Sequence, residues 1–420
     1  MKVSIVGTGY VGLVSGVCFA ELGHEVVCLD TIKEKVDSIN SGVPPIFEEG
    51  LEELLRKHLT SGMFRATLDL SAVLSTEMTF LCVGTPSRED GSIELKYILR
   101  AVEDLGSVLS KKEGRHVVVV KSTVLPNTTR DLVTPLLLER SGKTLGQDMG
   151  VAMNPEFLKE GVAVADFMGP DRVVIGALDD RTFQEVASLY QGVEAPVLRT
   201  DLSTAEMIKM ASNSFLAARI SLVNEMGNIS KAMGLDFREV AKGVGMDPRI
   251  GPLFLRPGCG FGGSCFPKDV KSIRAKAREL GVRTDMLDAT LSVNERQPLR
   301  MVELLNDRMR IEGSTVAVLG LAFKPGTDDI REASSLIVVA ELLRKGAKVR
   351  AFDPQAMDNF RVAFPHIIYC CSAKECLEGA DAALVLTEWK EFSDPELYGS
   401  MPVVDGRSIT KTINYEGICW

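Results

Sequence analysis

Six short apolar runs recur through the first two hundred residues: KVSIVG, HEVVCLD, MTFLCVGTP, RHVVVVKSTV, MGVAMNPEFL and DRVVIGA. Helical patterning fills the segments between them, and the runs are near-continuous in Val and Ile rather than alternating. Strands buried on both faces read this way, so the pattern predicts a parallel sheet covered by helices on both sides. Near residue 200 the pattern changes. STAEMIKMASNSFLAARISLVNEMGNISKAMG contains no proline and opens with Ser203-x-x-Glu206, a capping box. It predicts one helix from Ser203 to Met233, about 45 Å long at 1.5 Å per residue. Such a helix is long for a globular domain and is expected to bridge domains or line a subunit interface. From Thr315 the strand-like runs resume with TVAVLGLAF, AKVRAFDP, DAALVLTEW and PVVDGR. This is a weak internal repeat of the opening layout, strand, helix, then strand ending in Asp.

The chain has 420 residues, more than one ordinary core, which points to two or three domains. Apolar residues at 45% and charged residues at 25% are ordinary for a globular protein. A formal charge of −9 argues against general binding to nucleic acid or anionic membranes, though not against a phosphorylated ligand held locally. The nine cysteines form no C-x-x-C pair and no zinc-like cluster with histidine, which favours a reducing, cytoplasmic setting and no metal site. The opening MKVSIVGTGYVGLVSGVCFA superficially resembles a signal peptide. With Glu21 following and a second strand ending at Asp30, it reads better as strand, glycine turn and helix. No charge-free run of about 18 apolar residues predicts a membrane span.

The glycine turn carries the first chemistry. VSIVGTGYVG places Gly7-x-Gly9-x-x-Gly12 after a strand and at the start of a helix. Gly7 permits the tight turn, Gly9 lets the backbone approach a pyrophosphate, and Gly12 lets the helix pack closely on the strand. Asp30, ending the next strand, would accept from the adenosine ribose hydroxyls and repel a 2′-phosphate, favouring NAD over NADP. Lys35, one turn further, could also reach the ribose. The second copy carries FKPGTDDIRE where the first has glycines, so one copy suits a dinucleotide and the other is re-equipped.

GFGGSCFPKD sets Cys265 between glycines that pack poorly and the charges of Lys268 and Asp269, a setting for a thiol that meets a ligand. Lys209 and Asn213 lie four apart on one face of the long helix. Glu156 and Glu160 are four apart in NPEFLKEG after a strand. Ser122 and Thr123 end another strand, and Thr85 ends the CVGTP strand, all at the carboxyl edge where doubly wound sheets bind ligands. These residues alone leave three readings open: aldehyde oxidation through a thioester, a simple alcohol dehydrogenase with an incidental cysteine, or an NAD-binding regulatory protein.

Together, GTGYVG, NPEFLKEG, AEMIK, GFGGSCFPKD and FKPGTDDIRE resemble the NAD-dependent nucleotide-sugar 6-dehydrogenases, such as UDP-glucose and GDP-mannose dehydrogenase, over essentially the whole chain. The resemblance implies an α/β chain of two Rossmann-like doubly wound domains joined by a long central helix in an all-helical middle domain. The boundaries expected are 1–200 for NAD binding, 201–300 for dimerisation and the cysteine loop, and 301–420 for the nucleotide sugar. It implies a homodimer or a higher even-numbered oligomer, and oxidation of a sugar primary alcohol to a carboxylate in two NAD-coupled steps. Cys265 would carry a thiohemiacetal and then a thioester, Lys209 and Asn213 would stabilise oxyanion charge, and Asp269 would assist proton transfer. Glu156 and Thr123 would position the hydrolytic water. Besides the glycines, Tyr10, Val11, Asp30, Lys35, Thr85 and Thr123 match cofactor positions, as do Glu160, Lys268 and Arg331. The sugar-nucleotide would meet Glu156, Phe157, Leu158 and Lys159, the helix pair Lys209 and Asn213, then Phe261, Gly262 and Cys265, and finally Phe323 and Lys324. Arg249 resembles an arginine that reaches a neighbouring subunit's site. MDPRIGPLFLRPGCGFGG is closer to UDP-glucose enzymes and the terminal EGICW to GDP-mannose enzymes. The cysteine-proximal loop should touch substrate, so UDP-glucose is expected, with GDP-mannose and then a UDP-N-acetylhexosamine as alternatives.

Overall fold

A computed structural model describes residues 1–420. The chain divides into two compact units, Met1–Ala211 and Ser212–Trp420. The first is built on eight strands: β1 (Lys2–Val6), β2 (Glu25–Leu29), β3 (Phe64–Thr67), β4 (Met78–Leu81), β5 (His116–Val120), β6 (Met149–Met153), β7 (Val173–Ala177) and β8 (Val197–Thr200). Their order across the sheet is β3-β2-β1-β4-β5-β6-β7-β8, with the topological switch between β1 and β4. The run HVVVV in β5 shows why these strands read as unbroken apolar stretches. Successive side chains alternate between faces, so Val117 and Val119 enter one core layer with Phe19 and Phe80, and Val118 and Val120 the other with Leu105 and Met153.

Two strands, β7 and β8, run parallel to each other but against the rest of the sheet, which the sequence pattern predicts to be parallel throughout. β6 pairs with β7 antiparallel, Ala152 opposite Ala177. The connection between them contains one short helix, Ala163–Met168, about 9 Å long. It does not carry the chain back along the strand, so β7 starts from the edge where β6 ended.

The second unit holds six parallel strands: β9 (Thr315–Leu319), β10 (Lys348–Phe352), β11 (Ile368–Tyr369), β12 (Ala382–Val385), β13 (Val403–Asp405) and β14 (Tyr415–Gly417). Their order, β11-β10-β9-β12-β13-β14, repeats that of the first six strands of the other sheet, so the internal repeat is real at the level of topology. Helices Phe237–Gly245, Phe266–Glu279 and Asp285–Asn306 precede this sheet in the chain.

The long helix spans Leu202–Ala232, one residue earlier at each end than its sequence pattern predicts. Its start corrects the capping-box reading. Asp201, not Ser203, caps the helix: its carboxylate accepts from the Thr204 amide at 3.0 Å and the Thr204 hydroxyl at 2.5 Å. Glu206 is then free to turn inward, where it accepts from the Thr129 amide at 2.8 Å. No helix is long and apolar enough to cross a membrane.

Candidate active site

The first unit contains a dinucleotide cradle at the β1–β4 switch. A Cβ on Gly12 would lie 1.9 Å from the Gly7 carbonyl oxygen, so only glycine lets the helix Tyr10–Glu21 start this close to β1. Gly9 is different. Its φ of −71° suits any residue and a Cβ there would meet nothing within 4 Å. Nothing inside the chain requires glycine at this position, whereas a pyrophosphate resting on the helix N-terminus would. Asp30 is half-buried and accepts from the Thr8 amide at 2.9 Å, the Thr8 hydroxyl at 2.5 Å and the Ile32 amide at 3.1 Å. Burial alone would raise its carboxyl, but these donors, helped by Lys35, hold it below the ordinary range. It therefore stands as a fixed anion where a ribose is expected. The residues present fit NAD.

Beside this cradle the strand ends converge. The Thr85 hydroxyl donates to the Thr123 carbonyl at 2.8 Å, and the Ser122 hydroxyl donates to the Val83 carbonyl at 2.7 Å, tying the two loops together. Lys209 and Glu156 form an ion pair of 2.9 Å with both side chains almost wholly buried. Burial would push the Glu156 carboxyl up, but Lys209 and the Leu158 amide bring it below the usual carboxylate range. Phe157 sits under two cations, with Lys209 5.4 Å and Arg172 4.0 Å from its ring centre. Glu160 lies next to a turn held from elsewhere: Gly161 donates to the Tyr10 hydroxyl at 2.8 Å and to Glu48 at 2.7 Å, and Ala163 also donates to Glu48. Tyr10 thus positions the loop carrying Glu156 and Glu160, and Glu48 is a positioning residue that sequence reading missed. Its only signal was a carboxylate pair in a proline-containing loop.

In the second unit Cys265 is the N-cap residue of the helix Phe266–Glu279 and is half-buried. The positive end of that helix favours an anionic sulfur. The Ser264 hydroxyl lies 3.4 Å from its sulfur. One turn on, Asp269 is 1% exposed and accepts from Asn213 at 2.6 Å and Lys268 at 2.7 Å, which joins three of the sequence-selected residues directly. Four other thiols are set apart from Cys265 by burial. Burial pushes Cys18, Cys82 and Cys259 up to about 12 and Cys419 to about 11, leaving them as inert packing at neutral pH.

The glycines of this loop need a different explanation from the open approach to a ligand that their residue type invites. A Cβ on Gly262 would lie 2.3 Å from the Glu332 carbonyl oxygen, and one on Gly263, with φ +82°, 2.8 Å from the Phe323 ring. The chain itself fills the space, so these glycines seat the cysteine loop against the segment carrying Phe323. Asn294 completes the seat by accepting from the Phe261 amide at 2.7 Å and donating to its carbonyl at 2.9 Å. Asn294 had no local signal.

Three selected cations lie less centrally. The Arg249 side chain is 87% exposed and paired with Asp247. Arg331 directs its guanidinium to Asp329, and its carbonyl accepts from the Gly263 amide of the cysteine loop at 2.8 Å. Lys324 is half-buried over the Phe323 ring, 5.6 Å from its centre.

The second sheet shows why its matching turn is no dinucleotide cradle. Asp353 occupies the place of Asp30 but is fully buried. It accepts from the amides of Leu321, Ala322, Gln355 and Ala356 and from the Trp389 indole. The chain's own donors take up the carboxylate that a ribose would need.

Three family models match in series: the NAD binding domain of the UDP-glucose/GDP-mannose dehydrogenase family over residues 1–194, its central domain over 203–296 and its UDP binding domain over 317–412. The chain is 46% identical to UDP-glucose 6-dehydrogenase AglM of Haloferax volcanii over the whole of both sequences. It is 37% identical to GDP-mannose 6-dehydrogenase of Pseudomonas putida, again over the whole of both. Among solved structures, a UDP-glucose dehydrogenase from Pyrobaculum islandicum matches with a TM-score of 0.95 at 41% identity, covering 100% of this chain and 98% of that one. With two sheets that share a six-strand order, an NAD cradle in the first and a cysteine at a helix N-terminus in the second, the chain belongs to the UDP-glucose/GDP-mannose dehydrogenase family of NAD-dependent oxidoreductases.

Proposed function

We propose that the protein oxidises the C6 primary alcohol of UDP-glucose to the carboxylate of UDP-glucuronate. The observation that carries the chemistry is Cys265: a half-buried thiol at a helix N-terminus, one turn from the buried Asn213–Asp269 pair and its partner Lys268. The cysteine-proximal loop and the similarity to UDP-glucose enzymes support the sugar. Residues 1–200 would bind NAD, 201–300 would carry the dimer helix and cysteine loop, and 301–420 the nucleotide sugar, in the cytoplasm.

NAD, held by the Gly7–Gly12 turn and Asp30, supplies hydride acceptance, twice for each sugar. The remaining work falls to the chain. Lys209 and Asn213 stabilise negative charge on the alcohol oxygen as its proton leaves, with Asp269 taking part in that transfer. The aldehyde so formed has no convenient second hydride while it remains a free carbonyl. Addition of the Cys265 thiolate gives a thiohemiacetal, and loss of hydride from that carbon leaves a thioester. Water, positioned by Thr123 and Glu156, then displaces the sulfur. In sum one alcohol and one water give one carboxylate, two hydrides and three protons. Phe261, Gly262, Phe323 and Lys324 of the second unit would contact the sugar-nucleotide, as would Phe157, Leu158 and Lys159 of the first. Val11, Lys35, Thr85, Glu160, Lys268 and Arg331 would border the cofactor.

The deciding experiment incubates the protein with NAD and a panel of UDP-glucose, GDP-mannose and UDP-N-acetylhexosamines, counting NADH against product. Two NADH per uronate with UDP-glucose preferred is expected. One per sugar would indicate a simple alcohol dehydrogenase, and a preference for GDP-mannose would reassign the substrate.

Two further outcomes are expected. NAD should outperform NADP on the order of a hundredfold, because a 2′-phosphate would face the fixed Asp30 anion, and Asp30→Ala should narrow that gap. Equal efficiency with both cofactors in the unmodified protein would remove this role. The long helix also leaves a stripe uncovered, with Phe215 79%, Leu222 58% and Ile229 47% exposed. A homodimer, or a higher even-numbered oligomer, with this stripe buried is expected, and Arg249 would then reach the neighbouring subunit's substrate. Light scattering that finds a stable monomer at micromolar concentration would refute it.

A further inference from the structure

A cavity of about 100 Å³ lies beside the Glu156 loop, and its walls include Lys121, Asn154, Glu156 and Tyr190. The reaction outlined above does not use Lys121. It directly follows β5, is 3% exposed, and its three ammonium protons face three neutral oxygens. These are the Asn154 amide oxygen at 3.0 Å, the Asn154 carbonyl at 3.5 Å and the Tyr190 hydroxyl at 3.5 Å. The acceptors are themselves fixed. The Tyr190 hydroxyl donates to the Asn154 amide oxygen at 2.6 Å, and the Asn154 amide donates to the Val174 carbonyl at 2.8 Å. A buried cation set among neutral oxygens is costly to retain unless its charge is used elsewhere.

Glu156 is where that charge acts. Glu156 lines the same cavity as Lys121, and Glu156 and Lys209 are the charged groups whose fields reach the Lys121 ammonium, with the neutral Cys82 thiol and Tyr190 phenol also close enough to act on their neighbours. Lys159, Asp166, Asp171 and Arg172 border the same cavity, where Lys159 pairs with Asp166 at 3.0 Å.

We propose that Lys121 is a positioning residue for Glu156, the second of two buried cations that keep this carboxylate ionised. Lys209 is assigned to substrate oxygen during the reaction, and when it turns there Glu156 loses its ion-pair partner. Lys121, pinned by Asn154 and Tyr190, stays. The functional importance of this arrangement rests on the reading of Glu156 as the hydrolytic residue. Burial lowers Lys121 to about 8, so it is charged at neutral pH and neutral in mildly alkaline solution. Cys82 is pushed up to about 12 and Tyr190 further, so neither changes charge in that range.

The test is an infrared titration of the Glu156 carboxylate, its band assigned by loss in Glu156→Gln. Lys121→Gln should raise the Glu156 midpoint by about one pH unit, tenfold in proton affinity, and Lys121→Arg should restore it. A purely structural role would lower the melting temperature and leave the midpoint in place. An unmoved midpoint in folded Lys121→Gln overturns the proposal. Should that variant fail to fold, the uronate-forming step of the unmodified protein is followed against pH. It should show an alkaline limb near pH 8 that Lys121→Arg removes, and a flat profile overturns the proposal. If Lys121→Gln moves the midpoint while Glu156→Gln leaves hydrolysis unslowed, the coupling stands and the hydrolytic role of Glu156 falls.

Discussion

Cys265→Ser is expected to reduce uronate formation by about 10³-fold or more while leaving NAD and UDP-glucose binding nearly unchanged. The size follows from the nucleophile. A thiol with an ordinary pKa near 8.5 is already a few per cent thiolate at neutral pH, and the helix start at Phe266 favours more. A serine hydroxyl in the same place is protonated essentially always. The substitution exchanges one atom on a half-exposed side chain, so it should not disturb the fold. The measurement is uronate yield and NADH per sugar, with binding followed by calorimetry. Undiminished uronate from the serine variant would show that the aldehyde is oxidised as its hydrate and that Cys265 only packs.

The same residue shows what could be read from sequence. A thiol among glycines and charges is locally odd, and Gly7-x-Gly9-x-x-Gly12 with Asp30 is a local signature whose geometry comes from a few adjacent residues. The long helix was legible because its pattern runs unbroken over 31 residues. Strands β3, β8, β11 and β14 were not, since each is two to four residues long at or near a sheet edge. β8 exposes Val197 and Leu198 and so lacks a buried pattern. The direction of β7 was invisible for another reason: periodicity reports which face a residue occupies, not which way the strand runs. The missed positioning residues share a third cause. Glu48 serves a loop more than a hundred residues away, and Asn294 serves Phe261 across 33 positions. The loop glycines were misread because a glycine needed for close packing and one needed for ligand access look the same in a string of letters.

Glu156→Gln is the second large effect expected, a 10²–10⁴-fold slowing of hydrolysis, typical of lost general-base assistance, with both hydride transfers spared. In the structure Glu156 is held ionised by Lys209 at 2.9 Å and is therefore a weak base as it stands. Its basicity would rise when Lys209 turns to the substrate oxygen, which couples the hydrolytic residue to the presence of substrate. Because the folded carboxyl is lowered, the stability it contributes is present above the ordinary glutamate range near pH 4.3 and is lost as pH falls through the folded value. The glutamine variant keeps the shape but leaves Lys209 buried without its anion, at a cost of about 3–5 kcal/mol, so its melting temperature must be recorded alongside. In the folded variant, NADH should appear in a rapid burst and then slowly. Intact-mass measurement during turnover should find the protein heavier by one oxidised sugar-nucleotide, an adduct absent when Cys265→Ser is added. Glu160 is four residues away and could partly substitute, so Glu156→Gln with Glu160→Gln belongs in the same series. A double variant that turns over slowly with neither burst nor adduct would remove hydrolysis from these carboxylates, leaving Glu156 as the counter-ion that holds Lys209 in place.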